Sequence, residues 1–232
     1  VSLFVDELAN IDHNKRLPYV GDSAFAHKGG MHVNAVGKNP ITFEHTNPEM
    51  VGNRRRILIS DLSGRSNIAI KLKELPLQTE VSDDDLTKVL NELKVRENLG
   101  YEYEAADASF SLLIKKVTNV HSPFFELDGY RVSVGKRDHS DKPLSEATVK
   151  VIVNGESEMT AAEGDGPVNA LDRALRKALT RFYPEIADVR LKDFKVRIME
   201  GNGGTASKTR VLIESGDEKS TWGTVGVSEN II

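Results

Sequence analysis

Two histidines, His27 and His32, stand five residues apart in the stretch SAFAHKGGMH, on either side of a Lys-Gly-Gly turn. An imidazole pair can ligate a metal, pass a proton or pack into a core, and spacing separates these uses. Ligands on one helix face sit three or four residues apart, whereas a step of five turns the second imidazole about 140° from the first at 3.6 residues per turn. The pair therefore cannot chelate a metal from a regular helix. No second cluster of histidine and carboxylate occurs, so no metal ligands are assigned in this chain. Taken alone, His32 reads as a hydrogen-bonded packing histidine, and only context raises it to an acid or base.

A second stretch with chemical content is Ala162-Glu163-Gly164-Asp165-Gly166-Pro167-Val168. Two glycines allow a tight turn, and proline at the first helical position leaves the following backbone N–H groups without intrahelical acceptors. Such a helix start binds a carboxylate through those N–H groups and the helix dipole. Asp165 or Glu163 beside it would hold an ammonium group, and the two together suit a free amino acid. The plainer reading is that these residues only cap the helix. A glycine-bearing stretch, Gly223-Thr224-Val225-Gly226-Val227, is read as the equivalent turn of a second repeat, giving two edges of one pocket.

The elements that position these residues follow from periodicity. Leu3, Phe4, Leu8 and Ile11 recur at helical spacing, with Pro18 as a stop. A second helix is expected through Ala24 to Val36, interrupted or begun at Gly29-Gly30. Asn39-Pro40 and Asn47-Pro48 bracket an extended or turned segment. Arg54-Arg55-Arg56 reads as a solvated face before the apolar run Ile57-Leu58-Ile59. Ser82 caps a helix over Asp83 to Arg96 with three acidic residues in its first turn, and Phe110, Leu113, Ile114 and Val117 mark its partner.

From Pro123 onward the period changes to two. Tyr130, Val132 and Val134 alternate, as do Val149, Val151 and Val153 up to the hairpin signal Asn154-Gly155, and a helix follows over Val168 to Leu179. The order restarts after Pro184, with Phe194, Val196 and Ile198, then Val211 and Ile213, a turn at Gly216-Asp217, the run Thr221 to Val227, and a helix start at Ser228. Gly129-Tyr130-Arg131-Val132 matches Asp193-Phe194-Lys195-Val196, and Lys150-Val151-Ile152-Val153 matches Arg210-Val211-Leu212-Ile213, at offsets of 60 to 64 residues. The expected fold class is α+β: small helical subdomains, then two β-β-β-α repeats, the second lacking its last helix.

Composition bounds the partners. The chain has 232 residues, 39% of them hydrophobic, 31 basic and 35 acidic residues, a formal net charge of −4 and no cysteine. That balance supplies no basic stripe for nucleic acid, and no apolar run reaches membrane-spanning length. A chain without cysteine or a secretory signal pattern fits the cytoplasm. Val1 at one end and a bare helix start at the other read as the ends of a fragment.

The stretches PYVGDSAFAHKGGMHVNAVGKNP, NPEMVGNRRRILISDLSGRSN, AAEGDGPVNALDRALRKAL and WGTVGVSENII together resemble the C-terminal half of citramalate synthases. Their family also includes the 2-isopropylmalate and homocitrate synthases. The resemblance implies three parts: an accessory subdomain carrying an active-site segment (1–60), a helical subdomain (61–120), and a regulatory dimerisation domain that binds an amino-acid effector (121–232). It implies a parent acyltransferase that condenses acetyl-CoA with a keto acid, pyruvate for citramalate, in a (β/α)8 barrel. The barrel, its divalent metal and both substrates lie outside this chain, so the fragment by itself is expected to be inactive and to hold no cofactor.

By the same resemblance His32 is the family's active-site histidine, lent to the partner subunit of a homodimer to assist proton transfer. Asn39 and Phe43 are candidate substrate contacts, Phe43 standing where the family often has tyrosine. Ser63-Gly64-Arg65-Ser66-Asn67 reads as a serine cap before a helix. Gly164, Asp165, Gly166, Pro167, Val168 and Ala170, with Gly223 and Gly226, lie where the family grips its effector, isoleucine for citramalate synthases and leucine for 2-isopropylmalate synthases. A dimerisation module that has lost its ligand is the alternative.

Overall fold

The computed structural model describes residues 1–11, 13–59, 63, 65–74, 81–136, 143–199 and 204–232. Its first element, α1 (Ser2–Leu8), is shorter than the apolar spacing suggests. The helix stops well before Pro18, at Asn10, whose φ of 53° is a left-handed conformation that asparagine tolerates. Leu3, Phe4 and Leu8 stay exposed, so no packed face extends it. A two-residue strand β1 (Ala26–His27) precedes α2 (Gly30–Lys38), which Gly29 caps. The glycine pair thus begins the helix expected over 24–36, and the residues before it are a turn and the short strand.

Both Asn-Pro pairs open 3-10 turns, Pro40–Thr42 and Pro48–Val51, in which the asparagine side chain accepts a hydrogen bond from the turn. β2 (Arg56–Ile57) then pairs in parallel with β1, Ala26 beside Arg56 and His27 beside Ile57. α3 (Arg65–Glu74) starts within the Ser-Gly-Arg-Ser-Asn stretch, where Ser63 is buried and Gly64 lies outside the described residues.

Next come α4 (Asp83–Asn98), with the Ser82 hydroxyl accepting from the Asp85 amide, and α5 (Asp107–Val117). Leu86, Val89 and Leu93 from α4 meet Phe110, Leu113 and Ile114 from α5, with Ile59, Ile68 and Tyr103 completing one apolar core. Spacings of three and four put each set on one face, which is why the pair packs as a helical hairpin.

The remaining elements form two sheets. β3 (Glu126–Gly135), β4 (Leu144–Val153) and β5 (Glu156–Gly164) make an antiparallel meander followed by α6 (Pro167–Thr180). β6 (Arg190–Ile198), β7 (Thr209–Gly216) and β8 (Thr221–Ser228) repeat the strand order. Asn154 and Gly155, with φ of 51° and 84°, build the tight turn between β4 and β5 that Asn-Gly announces. Ala147, Val149, Val151 and Val153 alternate inward from β4 and pack under Ala170, Ala174 and Ala178 of α6. Alanine every four residues lets the helix lie close to the sheet, and Thr160 Oγ1 reaches the Ala174 carbonyl at 2.7 Å.

The register corrects the repeat alignment. The β3–β4 pairing slips between Leu127 and Gly129, and the β6–β7 pairing slips between Leu191 and Asp193. The unpaired residues, Asp128 and Lys192, are 64 apart, and the same offset relates the pair Tyr130–Val149 to the pair Phe194–Ile213. Lys150 therefore corresponds to Glu214, not to Arg210; alternating valines look alike when slid by an even number, and only strand pairing fixes which slide is right. Carried on, Gly164 corresponds to Ser228. Gly223–Val227 consequently lies inside β8 and is not a turn, and Ser228 ends that strand. Residues 229–232 are not helical.

The described residues divide into two compact units, Val1–Asn119 with Thr224–Val227, and Val120–Gly223 with Ser228–Ile232.

Candidate functional site

In the first unit α2 presents His32. Val33 and Val36 on the same helix are buried, so the turn that carries Met31 and His32 faces outward and both are exposed. Asn39 ends α2 and caps the next 3-10 turn, its Oδ1 accepting from the Ile41 amide at 3.2 Å. Thr42 Oγ1 closes the same turn on the Asn39 carbonyl at 2.7 Å. The turn swings Phe43 back against His32: the rings lie 4.3 Å apart, inclined by 32°. His32 and Phe43 thus come together across eleven residues of sequence, while the amide of Asn39 is engaged in shaping the turn between them.

His27 has a different environment. Its Nε2 lies 2.9 Å from Glu44 Oε1, and Arg55 grips the same carboxylate in two places, Nε to Oε1 at 2.7 Å and Nη2 to Oε2 at 2.6 Å. The Glu44 side chain is only 3% exposed. Hydrogen bonding from Arg55, ahead of the opposing effect of burial, holds the Glu44 carboxyl below the usual carboxylate range. The Arg55 guanidinium is raised by the same bond. A buried carboxylate without such partners would be costly, and a two-point arginine fork is the geometry that satisfies it.

Sequence reasoning missed this cluster. Arg55 sits in a run of three arginines that reads as surface, and nothing in the spacing 27, 44, 55 marks a site. The signal that existed was the short apolar run after Arg56, because β2 pairs with β1 and draws Arg55 toward His27. A further tie comes from α3: Asn67 is fully buried and its Nδ2 donates to the Lys28 carbonyl at 3.1 Å, just ahead of the Gly29 cap. Lys28 itself pairs with Glu104 at 3.1 Å, a partner that raises its pKa.

In the second unit the Gly164–Ala170 turn is tightly built. A Cβ on Gly164 would fall 2.4 Å from the Ala170 nitrogen and 2.8 Å from its Cα, so only glycine lets β5 end this close to α6. Gly166 is the N-cap in extended backbone with no side-chain cap, and Pro167 follows at the first position. The Ala170 amide returns to the Gly166 carbonyl at 2.9 Å, and Asp165 N donates to Asn169 Oδ1 at 3.2 Å. Helix geometry leaves the amides of Val168 and Asn169 without intrahelical acceptors. Glu163 offers its carbonyl to Arg173 Nη1 at 3.2 Å. Gly223 is buried in β8 and Gly226 is exposed in it, so neither forms the second turn expected of them; residues 228–231 occupy that position in the repeat.

Among the described residues no group of three or more histidine, aspartate and glutamate side chains is placed to hold a metal ion. No helix among them is long and apolar enough to cross a membrane.

Comparison with known proteins accounts for both units. Residues 104–232 match the LeuA allosteric (dimerisation) domain, and residues 19–99 match the homocitrate synthase post-HMGL domain-like family. Over all 232 residues the chain is 56% identical to the (R)-citramalate synthase of Geobacter sulfurreducens, covering 44% of that protein. It is 52% identical over 229 residues, 99% of the chain, to the (R)-citramalate synthase of Aquifex aeolicus, covering 43% of it. The (R)-citramalate synthase of Synechocystis sp. is 47% identical over the full chain, which again covers 43%. The chain thus spans less than half the length of the curated relatives it matches.

Proposed function

The chain belongs to the family of the LeuA allosteric (dimerisation) domain and the citramalate synthases, and from that premise we propose that it is the accessory and regulatory half of a citramalate synthase. The parent would join acetyl-CoA to pyruvate: a methyl proton is removed from the acetyl group, the carbon attacks the keto carbonyl, the resulting alkoxide takes a proton, and water hydrolyses the thioester, leaving the free acid and CoA as the thiol. The divalent metal that would polarise the keto group belongs to the barrel outside this chain. What this chain contributes is His32. The observation that supports this best is the contrast between the two histidines, His27 locked on a buried carboxylate and His32 displayed on the surface with an aromatic ring behind it. An exposed imidazole on a rigid helix is free to exchange a proton with a group brought to it.

The second unit is the effector domain in this reading. The first-turn amides beyond Gly166 take the effector's carboxylate, Asp165 or Glu163 its ammonium group, and isoleucine is the expected amino acid. Bare apolar rows support a homodimer. Leu127, Tyr130 and Val134 on β3 and their counterparts Leu191, Phe194 and Ile198 on β6 are all exposed. By the strand register Tyr130 and Phe194 stand beside Val149 and Ile213, so each row continues an inner face. A second copy of the chain is the partner that would cover such rows.

Titration calorimetry of this chain with isoleucine, leucine and valine tests the effector reading. Heat with isoleucine alone is expected. Heat with leucine alone would move the parent to a 2-isopropylmalate synthase, and no heat with any of the three would leave a dimerisation module without an effector.

A further inference from the structure

We infer that Glu44 is a positioning residue for His32, acting through Phe43, with Arg55 and His27 as the anchor that keeps it in place. The inference rests on the reading of His32 as a proton-transfer group and deepens it, since it names what holds that group. Phe43 and Glu44 are consecutive, and they face opposite demands: the Phe43 ring is half exposed against His32, while the Glu44 side chain is buried at 3% exposure. Backbone hydrogen bonds tie this pair only to its own turn, both amides returning to the Pro40 carbonyl at 3.1 and 3.0 Å. The carboxylate adds three side-chain contacts of 2.9, 2.7 and 2.6 Å, which draw on β1 and the residue before β2.

Those two strands are paired to each other, so the anchor is a rigid point. Displacing Glu44 therefore displaces Phe43, and with it the ring on which the imidazole rests. Asn67, holding the Lys28 carbonyl, fixes the other approach to His32 from the N-terminal side of α2. Ring and helix start are each tethered from the interior, leaving the imidazole as the outward part of a braced unit. A site that must place one atom accurately is built in this way, with a supporting layer that does not touch the reactant.

The test uses proton resonances of the histidine rings in this chain. Phe43→Leu removes the ring-current shift that stacking imposes on His32 and so sets the scale. Glu44→Gln, which loses the charge but keeps the shape, is expected to move the His32 resonances by at least about half of that scale, with those of His13 and His121 unchanged. Arg55→Lys keeps the charge but not the two-point fork, is expected to act in the same direction, and serves if Glu44→Gln fails to fold. His32 resonances unmoved in a folded Glu44→Gln or Arg55→Lys variant would overturn the inference.

In the full-length parent, Glu44→Gln is expected to lower kcat about tenfold or more with KM for both substrates little changed, the split that misplacement of a proton-transfer group gives. If His32→Ala leaves kcat unchanged, the functional reading fails, and the ring shifts still decide whether Glu44 positions His32. If His32→Ala abolishes turnover and Glu44→Gln leaves kcat unchanged, only the positioning role fails.

Discussion

Single residues separate three kinds of information in this chain. His32 was legible as a candidate because of its type and its neighbours, but the company it keeps was not: its stacking on Phe43 depends on a 3-10 turn that returns the chain, and its isolation from His27 depends on Glu44. Glu44 carries the clearest pH prediction. Its folded-state pKa lies below the ordinary value of 4.5, so the unfolded chain binds the proton more readily than the native one. The stabilisation is accordingly full above the ordinary carboxylate pKa and is lost as pH falls through the lower folded value. Urea midpoints measured at pH 7 and then at stepwise lower pH should show a decline below about pH 4.5 that is smaller in Glu44→Gln. At neutral pH, Arg55→Ala strips a buried carboxylate of its fork and should cost about 1–3 kcal/mol in the same measurement, more than a surface arginine would.

At the scale of elements, local chemistry marked most of the helices and strands, because capping residues and hairpin turns act within a few residues of sequence. Ser82 on α4, Pro167 at the start of α6 and Asn154-Gly155 between β4 and β5 are examples where the signal and the structure coincide. The failures share a cause. The offset between repeats and the place of Gly223–Val227 both depend on which strand residues face each other, and an even slide along alternating valines leaves the pattern unchanged. The turn after β5 yields a prediction at this scale. Gly164→Ala inserts a methyl 2.4 Å from the Ala170 nitrogen. The second unit should lose about 1–3 kcal/mol, and the heat expected from the proposed amino-acid effector should fall with it, whereas Gly166→Ala, whose Cβ would meet nothing within 4 Å, should fold like the parent chain.

For the molecule at large the telling fact is that the described residues form two cores of different composition, one around α4 and α5 and one between β4 and α6. Phe110→Ala should cost the first unit about 3–5 kcal/mol and speed amide exchange in α4 and α5, with the amides of β4 keeping their protection. The proposed self-association is tested on the other unit: Phe194→Asp with Ile198→Asp should shift sedimentation equilibrium toward monomer, and an unchanged mass would count against the β6 row as a contact between copies. The sequence by itself determined the α+β class, the helical hairpin, the doubled strand order and the turns at Asn154-Gly155 and before Pro167, because periodicity, capping and turn chemistry are short-range and survive without knowledge of partners. Only the tertiary structure decided that Arg55, His27 and Glu44 form one buried cluster, that Phe43 lies against His32, and that the repeats are offset by 64 residues. Each of these joins residues far apart in the chain, and a long-range contact is chosen by burial and strand register, which no local stretch of sequence encodes.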